Sequence, residues 1–461
     1  MKKHLALGLS ASLCVVILAA CGGGDGGAQG APSGASSTSS SVVASSASSS
    51  LAASLSSSSV AAQASSSVSS SIASPQISPG SSTNPILSAT EAAIFSKANY
   101  LAYSGTVGSA VTTDAWTPAA SVDTSGCATG TCLTVGTGQS YTTLQAAIQA
   151  ASSLRNLDRV YIKVLPGTYA GLVIVPSVSG APAITIFGSS GNASDVQISA
   201  TLDAKMTGTQ YAAAYGSLFA SSDHAYASYK SCADKGSSAI GTSCATVFLA
   251  RPARFELAGV TVENTSPHTS ATGQAVALET EGDKTHIDHV RLISRQDTFY
   301  LKTSSASTIA RAYVSNAYIE GDVDFVFGRA SAVFENVTFK AVSDRSSSSY
   351  VFAPSTAAKN PYGFLAVNCT FTSDSGFSGS ALLGRSWDEG ASSGYVAGST
   401  PNGQLVIRDS RISAGFRGSA PWGTAATSKR VYSGNANSGR NLNDSTYNRF
   451  WQFNNAGAGA Q

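Results

Sequence analysis

Short runs in which apolar and polar residues alternate dominate the last two thirds of the chain, and a period of two is the mark of strands. Helical spacing is confined to residues 144–151, a stretch that reads as one short helix with Gln145 and Gln149 turned outward. Six of the strand runs, 257–262, 287–292, 314–319, 334–339, 366–371 and 407–412, share a phrase: an apolar residue, a turn-prone residue two positions later, then renewed alternation. The turn positions are Gly259, His289, Asn316, Asn336, Asn368 and Asp409, spaced by 30, 27, 20, 32 and 41 residues. A loosely held period of that size belongs to a solenoid. One coil of a parallel β-helix takes roughly 20 or more residues to pass round its faces, and longer coils carry the surplus as loops on one side. The predicted fold is therefore all-β, a single-stranded parallel β-helix.

That repeat carries a geometric expectation. Asp297 lies 8 residues after His289, and Asp324 lies 8 residues after Asn316, so the two carboxylates occupy the same phase of consecutive coils. Neighbouring strands are about 4.8 Å apart, which stacks these side chains one rung from each other. Alternation from Asp324 places Phe325 and Phe327 together on the opposite side, toward the core.

The first fifth of the chain is of a different kind. Lys2 and Lys3 precede an apolar run over residues 5–20, the charged head and short apolar stretch of a secretory signal, too short to span a bilayer. It ends Leu18-Ala19-Ala20-Cys21, which resembles the lipobox of bacterial lipoproteins, where the cysteine is lipidated and becomes the new N-terminus. Ordinary cleavage after Ala20 is the alternative, and it sets bulky Leu18 where a small residue is wanted. In lipoproteins a Gly after the cysteine, here Gly22, points to the outer membrane. Acyl chains contribute about 0.8 kcal/mol per buried methylene and would anchor the protein without a spanning helix. The expected organisation is a signal over residues 1–20, a lipidated Cys21 with a Ser-rich linker over 21–87, and one catalytic domain over 88–461. As a random coil of about 65 residues the linker spans roughly 45 Å.

A net charge of +2 with only 12% charged residues leaves no electrostatic footprint for nucleic acid. The membrane is reached through the lipid alone, and the chain is expected to act as a monomer. Of seven cysteines, Cys14 leaves with the signal and Cys21 is the anchor. In an oxidising compartment the close pairs Cys127/Cys132 and Cys232/Cys244 suit local disulfides, leaving Cys369 single. No C-x-x-C and no nearby paired His supports a zinc site instead.

Two carboxylates roughly 5 Å apart do not both ionise readily, so one pKa rises and that group becomes a proton donor. A cation must hold the other charged, and Arg385 is the candidate. Gln274 and Gln296 offer amide N–H groups to a developing oxyanion.

Four segments now carry a resemblance: Gln274-Ala275-Val276-Ala277-Leu278, Gln296-Asp297-Thr298-Phe299-Tyr300, Asp324-Phe325-Val326-Phe327-Gly328 and Leu383-Gly384-Arg385-Ser386-Trp387. In order and spacing they resemble the successive signatures of pectin methylesterases, with Gly167-Thr168-Tyr169 as the weaker opening one and similarity running from about Leu133 onward. The nearest likeness is to the bacterial outer-membrane lipoprotein branch. The resemblance implies a right-handed, pectin lyase-like parallel β-helix that needs no metal or cofactor and acts on methyl-esterified pectin. It implies Asp324 as nucleophile, Asp297 as general acid then base, Gln274 and Gln296 as oxyanion donors, and Arg385 as the partner of Asp324. Trp387, Tyr300 and Phe327 stand at the family's sugar-contacting positions, where aromatic faces suit sugar rings. Trp422 is a further candidate, either walling the cleft or packing on the solenoid.

Two departures stand out. Ser386 replaces a usual Pro, which frees the backbone between Arg385 and Trp387, and Gly171 replaces the Glu that ends the opening signature. Rival readings are a retaining glycosidase acting on polygalacturonan, for which a 5 Å-class carboxylate separation is suited, an acyl thioesterase, and a non-catalytic carbohydrate-binding solenoid.

Overall fold

The computed structural model describes residues 79–460. Three parallel sheets, of eight, eight and ten strands, are each built by stacking one strand from every successive coil, which makes the chain a right-handed parallel β-helix. The recurring phrase is the coil itself. Its opening residues pair in register up the ten-stranded sheet: Leu257 with Ile287, Ile287 with Val314, Val314 with Phe334, Phe334 with Ala366 and Ala366 with Ile407.

The turn positions have a physical reason. Gly259, His289, Asn316, Asn336, Asn368 and Asp409 all adopt positive φ, between 49° and 62°, where the chain bends from one sheet to the next. Gly has no Cβ to clash there, and Asn and Asp tolerate the left-handed region because short polar side chains bond locally. Their side chains also run up the solenoid: Asn316 Nδ2 donates to Asp288 Oδ1 at 2.9 Å, and Asn454 Nδ2, in a seventh such turn, donates to Asp409 Oδ1 at 2.7 Å. Inside, Phe334, Phe339, Phe352, Phe364 and Phe371 form a contiguous ring cluster with centroids 4.9 to 6.2 Å apart. Aromatic burial of this kind fills the space that three facing sheets leave.

The helix is present as Leu144–Ser153, with Leu144, Ala147, Ile148 and Ala151 in the core. Gln145 is not outward. It is 6% exposed, and its amide donates to Ile174 O at 3.0 Å and accepts from Ile174 N at 2.8 Å. Val173–Val175 is the edge strand of its sheet, so its main chain lacks a neighbour, and this glutamine supplies the missing bonds. Gln149 is partly exposed and accepts from His224 N.

Cys127 is bonded to Cys132 and Cys232 to Cys244, and Cys369 is a buried free thiol, as the spacing suggested. Packed structure begins ahead of residue 88: Leu87 is fully buried, and its N–H reaches Gln452 O at 2.9 Å. The signal, Cys21 and most of the Ser-rich linker lie outside the described residues. Among the described residues no helix is long and apolar enough to cross a membrane.

Candidate active site

Five consecutive strands of one eight-stranded sheet position the site: β1 (Val276–Thr280), β2 (Phe299–Leu301), β3 (Val326–Gly328), β4 (Tyr350–Pro354) and β5 (Leu382–Arg385). Asp297 and Asp324 each stand two residues before a strand, β2 and β3. Phe299 pairs with Val326, and Asp297 N donates to Val323 O at 3.1 Å, so the two aspartates sit at one level of consecutive coils. Both adopt positive φ, 69° and 52°, a conformation that costs an ordinary side chain energy and that gathers at working sites. They are only 6% and 4% exposed.

Arg385, at the end of β5, reaches back across β4 to Asp324. Its Nε lies 2.7 Å from Oδ1 and its Nη2 2.6 Å from Oδ2, a two-pronged ion pair. The guanidinium rests on the Tyr350 ring, 4.2 Å from the centroid, a cation–π contact that fixes its plane. Asp297 is treated differently. Burial is the main force pushing its carboxyl well above the usual carboxylate range, the charge of Asp324 adds to it, and Arg385 opposes it. One carboxylate of the pair is thus charge-paired, and its neighbour is biased toward the protonated form.

Gln274 and Gln296 lie on adjacent coils just before β1 and β2; the Ala275 N–H donates to Gln296 O at 3.0 Å. Both are half-buried. Arg345 Nη2 donates to Gln296 Oε1 at 3.4 Å, which leaves the amide N–H₂ end to face another acceptor. Arg345 is itself held by buried Asp322 at 2.7 and 2.8 Å. Neither Arg345 nor Tyr350 was foreseen from sequence, because each is brought to the site by coil stacking from a stretch without a repeat mark.

Tyr300 and Phe327 stack with centroids 4.2 Å apart and planes 12° from parallel, and Trp387 closes on them at 6.2 and 5.8 Å. The expectation that Phe327 shares the core with Phe325 is corrected here. The left-handed residue at Asp324 resets the alternation, so Phe325 and Val326 both point inward and Phe327 joins the outer aromatic floor. Trp422 takes the other course. It is 6% exposed and packs in the core against Tyr432 and Phe450.

Ser386 does not loosen the site. It is fully buried; its Oγ donates to Asp388 Oδ1 at 2.6 Å and accepts from Gly403 N at 3.1 Å, pinning the segment between Arg385 and Trp387. Gly171 has φ of 113°, which disfavours the Glu of the family signature there. Among the described residues no cluster of His, Cys, Asp and Glu is arranged to hold a metal ion.

Fold and site together define a β-helix protein whose outer sheet bears an acid pair, two neighbouring amides and an aromatic floor. The pectinesterase family model matches residues 230–395, which span the acid pair, both amides, Arg385 and Trp387. Pectinesterase B of Dickeya dadantii is 42% identical over 396 residues, covering 82% of this chain and 90% of that one. The putative acyl-CoA thioester hydrolase YbhC of Escherichia coli is 39% identical over 407 residues, covering 83% of this chain and 90% of its own. The solved structure of rice weevil pectin methyl esterase superposes with a TM-score of 0.75 at 42% identity, over 84% of this chain and all of that one. The chain belongs to the pectinesterase family.

Proposed function

We propose that this protein hydrolyses methyl esters of galacturonate in pectin to pectate and methanol, with Asp324 as nucleophile and Asp297 as acid and base. The observation that carries this is the contrast within one pair: Arg385 grips both oxygens of Asp324, while burial and the charge of Asp324 raise Asp297. Asp324 Oδ attacks the C6 ester carbonyl. The oxyanion that forms is held by the amide N–H groups of Gln274 and Gln296. As the C–O bond to the methoxy group breaks, Asp297 passes it a proton, methanol leaves, and an acyl anhydride on Asp324 remains. Asp297, now a carboxylate, takes a proton from water, whose oxygen attacks the anhydride carbonyl. Galacturonate departs, and Asp324 returns to its ion pair with Arg385.

The thioesterase reading draws on the E. coli relative's name, and the same pair would open a thioester. The Tyr300, Phe327 and Trp387 floor favours a sugar ring instead. The deciding experiment uses the purified chain from Gly22 onward with three substrates. Methanol release from methylated pectin is expected; new reducing ends without methanol, or release of thiol from acyl-CoA alone, would overturn the proposal.

We also place the protein in the outer-membrane lipoprotein branch, anchored through lipidated Cys21 and held off the surface by its Ser-rich tether. Support comes from the Leu18-Ala19-Ala20-Cys21 motif and Gly22. In a Gram-negative host the wild type is expected in the membrane fraction and Cys21→Ser in the soluble one, with equal specific activity. Wild type found soluble after export would sink the anchor.

A further inference from the structure

A cavity of about 220 Å³ lies away from the acid pair, at the corner where the coils turn from the active-site sheet into the ten-stranded one. Two of its walls are such turns: the stretch from Leu301, at the end of β2, to Arg311, and the stretch from Pro354, at the end of β4, to Phe364. The third is a hairpin of Tyr103–Thr106 and Ala110–Thr113, laid antiparallel along Thr308–Ile309. The rings of Tyr103 and Tyr362 line it, 5° from parallel with centroids 6.2 Å apart. Tyr103 keeps 37% of its surface exposed and Val111, on the same hairpin, 52%.

The second of those turns is held from beneath. Fully buried Arg449 donates to Asn360 O at 2.7 Å. The Asn360 side chain accepts from Tyr362 N at 3.1 Å and donates to Ser331 Oγ at 3.2 Å, and that hydroxyl donates to Tyr362 O at 2.8 Å. Tyr362 is thus set in place before a ligand arrives, which removes an ordering cost from binding. Charge at the cavity has one sign. Lys359 is exposed, its stem lies beside Gly108 at the hairpin tip, and it makes no ion pair among the described residues. No carboxylate lines the cavity, and the hairpin from Tyr103 to Thr113 carries no charged residue.

Aromatic rings beside an apolar rim suit the apolar face of a sugar, and a lone cation with no acid near it suits a carboxylate. The volume falls below the roughly 300 to 1,000 Å³ that hold a drug-sized ligand, so it takes a single sugar unit. A polymer engaged at the acid pair presents its other units to this corner at high effective concentration. We infer that the cavity is a second, non-catalytic binding site for one galacturonate unit of the pectin chain, its ring on Tyr103 and its free carboxylate on Lys359. The inference rests on the pectinesterase reading and names where a further segment of the same polymer is held.

The test measures binding of polygalacturonate, which has no ester to hydrolyse, to the purified protein, alongside kinetics on methylated pectin and on a methyl-esterified trigalacturonate. Tyr103→Ala is expected to weaken polygalacturonate binding at least about fivefold. Lys359→Glu is expected to weaken it at least about fivefold at low salt and less at high salt. Because Lys359 is exposed and unpaired, that variant keeps the fold even where Tyr103→Ala loosens the hairpin. Both variants should raise KM on pectin about threefold or more at unchanged kcat, and leave KM on the trisaccharide as in wild type, since three units occupy the acid-pair site alone. Wild-type affinity for polygalacturonate in both variants overturns the inference. So does an equal rise in KM on the short and the long substrate, because the residues would then act through the acid-pair site. A wild type that is dimeric by light scattering, and monomeric as Tyr103→Ala, gives the cavity to a second copy of the chain and overturns it as well. Absence of methanol from every ester would instead overturn the pectinesterase reading.

Discussion

Asp324→Asn is expected to lower kcat on methylated pectin by at least about 10⁴-fold, because the variant keeps the shape of the side chain and removes the carboxylate proposed as nucleophile. Asn is the informative replacement for a backbone reason as well. Position 324 sits at φ of 52°, which Asn tolerates and Ala does not, so loss of activity is separated from local strain. The fold should persist at a measurable cost. Arg385 loses its charged partner in a pair only 18% and 6% exposed, and although it keeps its seat on Tyr350 and Asn still offers one acceptor, the loss is about 3 kcal/mol. Methanol release and thermal unfolding, measured together, check the claim. Activity within about tenfold of wild type, in a variant that is fully folded at the assay temperature, would remove Asp324 as the nucleophile.

What could be read from the chain and what could not divide along one physical line. The coil repeat was legible because this bend between sheets takes positive φ, which Gly, Asn and Asp adopt most readily; the marked positions are those residues and one His. The stacking of Asp297 on Asp324 followed by counting, since both lie 8 residues past a mark. Counting failed where the backbone was no longer a plain strand. Alternation assumed extended conformation through Asp324, and the left-handed turn there moved Phe327 from the expected interior to the floor of the site. Side chains that serve main chain were equally hidden. Gln145 looked like the polar face of a helix, and nothing local shows that the edge of Val173–Val175 requires its amide. Arg345 and Tyr350 lie 48 and 53 residues beyond Asp297 in sequence, and only the length of the intervening coil decides that they reach Gln296 and Arg385.

Asp297→Asn is expected to lower kcat about 10² to 10⁴-fold and, more tellingly, to erase the alkaline limb of the rate profile. In the proposed mechanism Asp297 must be protonated to hand a proton to the departing methoxy oxygen. Its carboxyl is held well above the ordinary range, first by burial and then by the charge of Asp324, so kcat/KM should fall as pH rises through that raised value. The same shift makes a statement about stability. A carboxyl whose folded pKa is raised above its unfolded one contributes stability that is fully present below the unfolded value and is lost as pH climbs through the folded one. Asn cannot ionise, so the variant should escape that loss and melt at a higher temperature than wild type on the alkaline side, while gaining nothing at low pH. Paired measurements of kcat/KM and Tm against pH, for wild type and Asp297→Asn, report on one titration by two routes. A wild-type alkaline limb that persists in the variant, or a Tm difference that does not grow with pH, would show that the proton donor is another group.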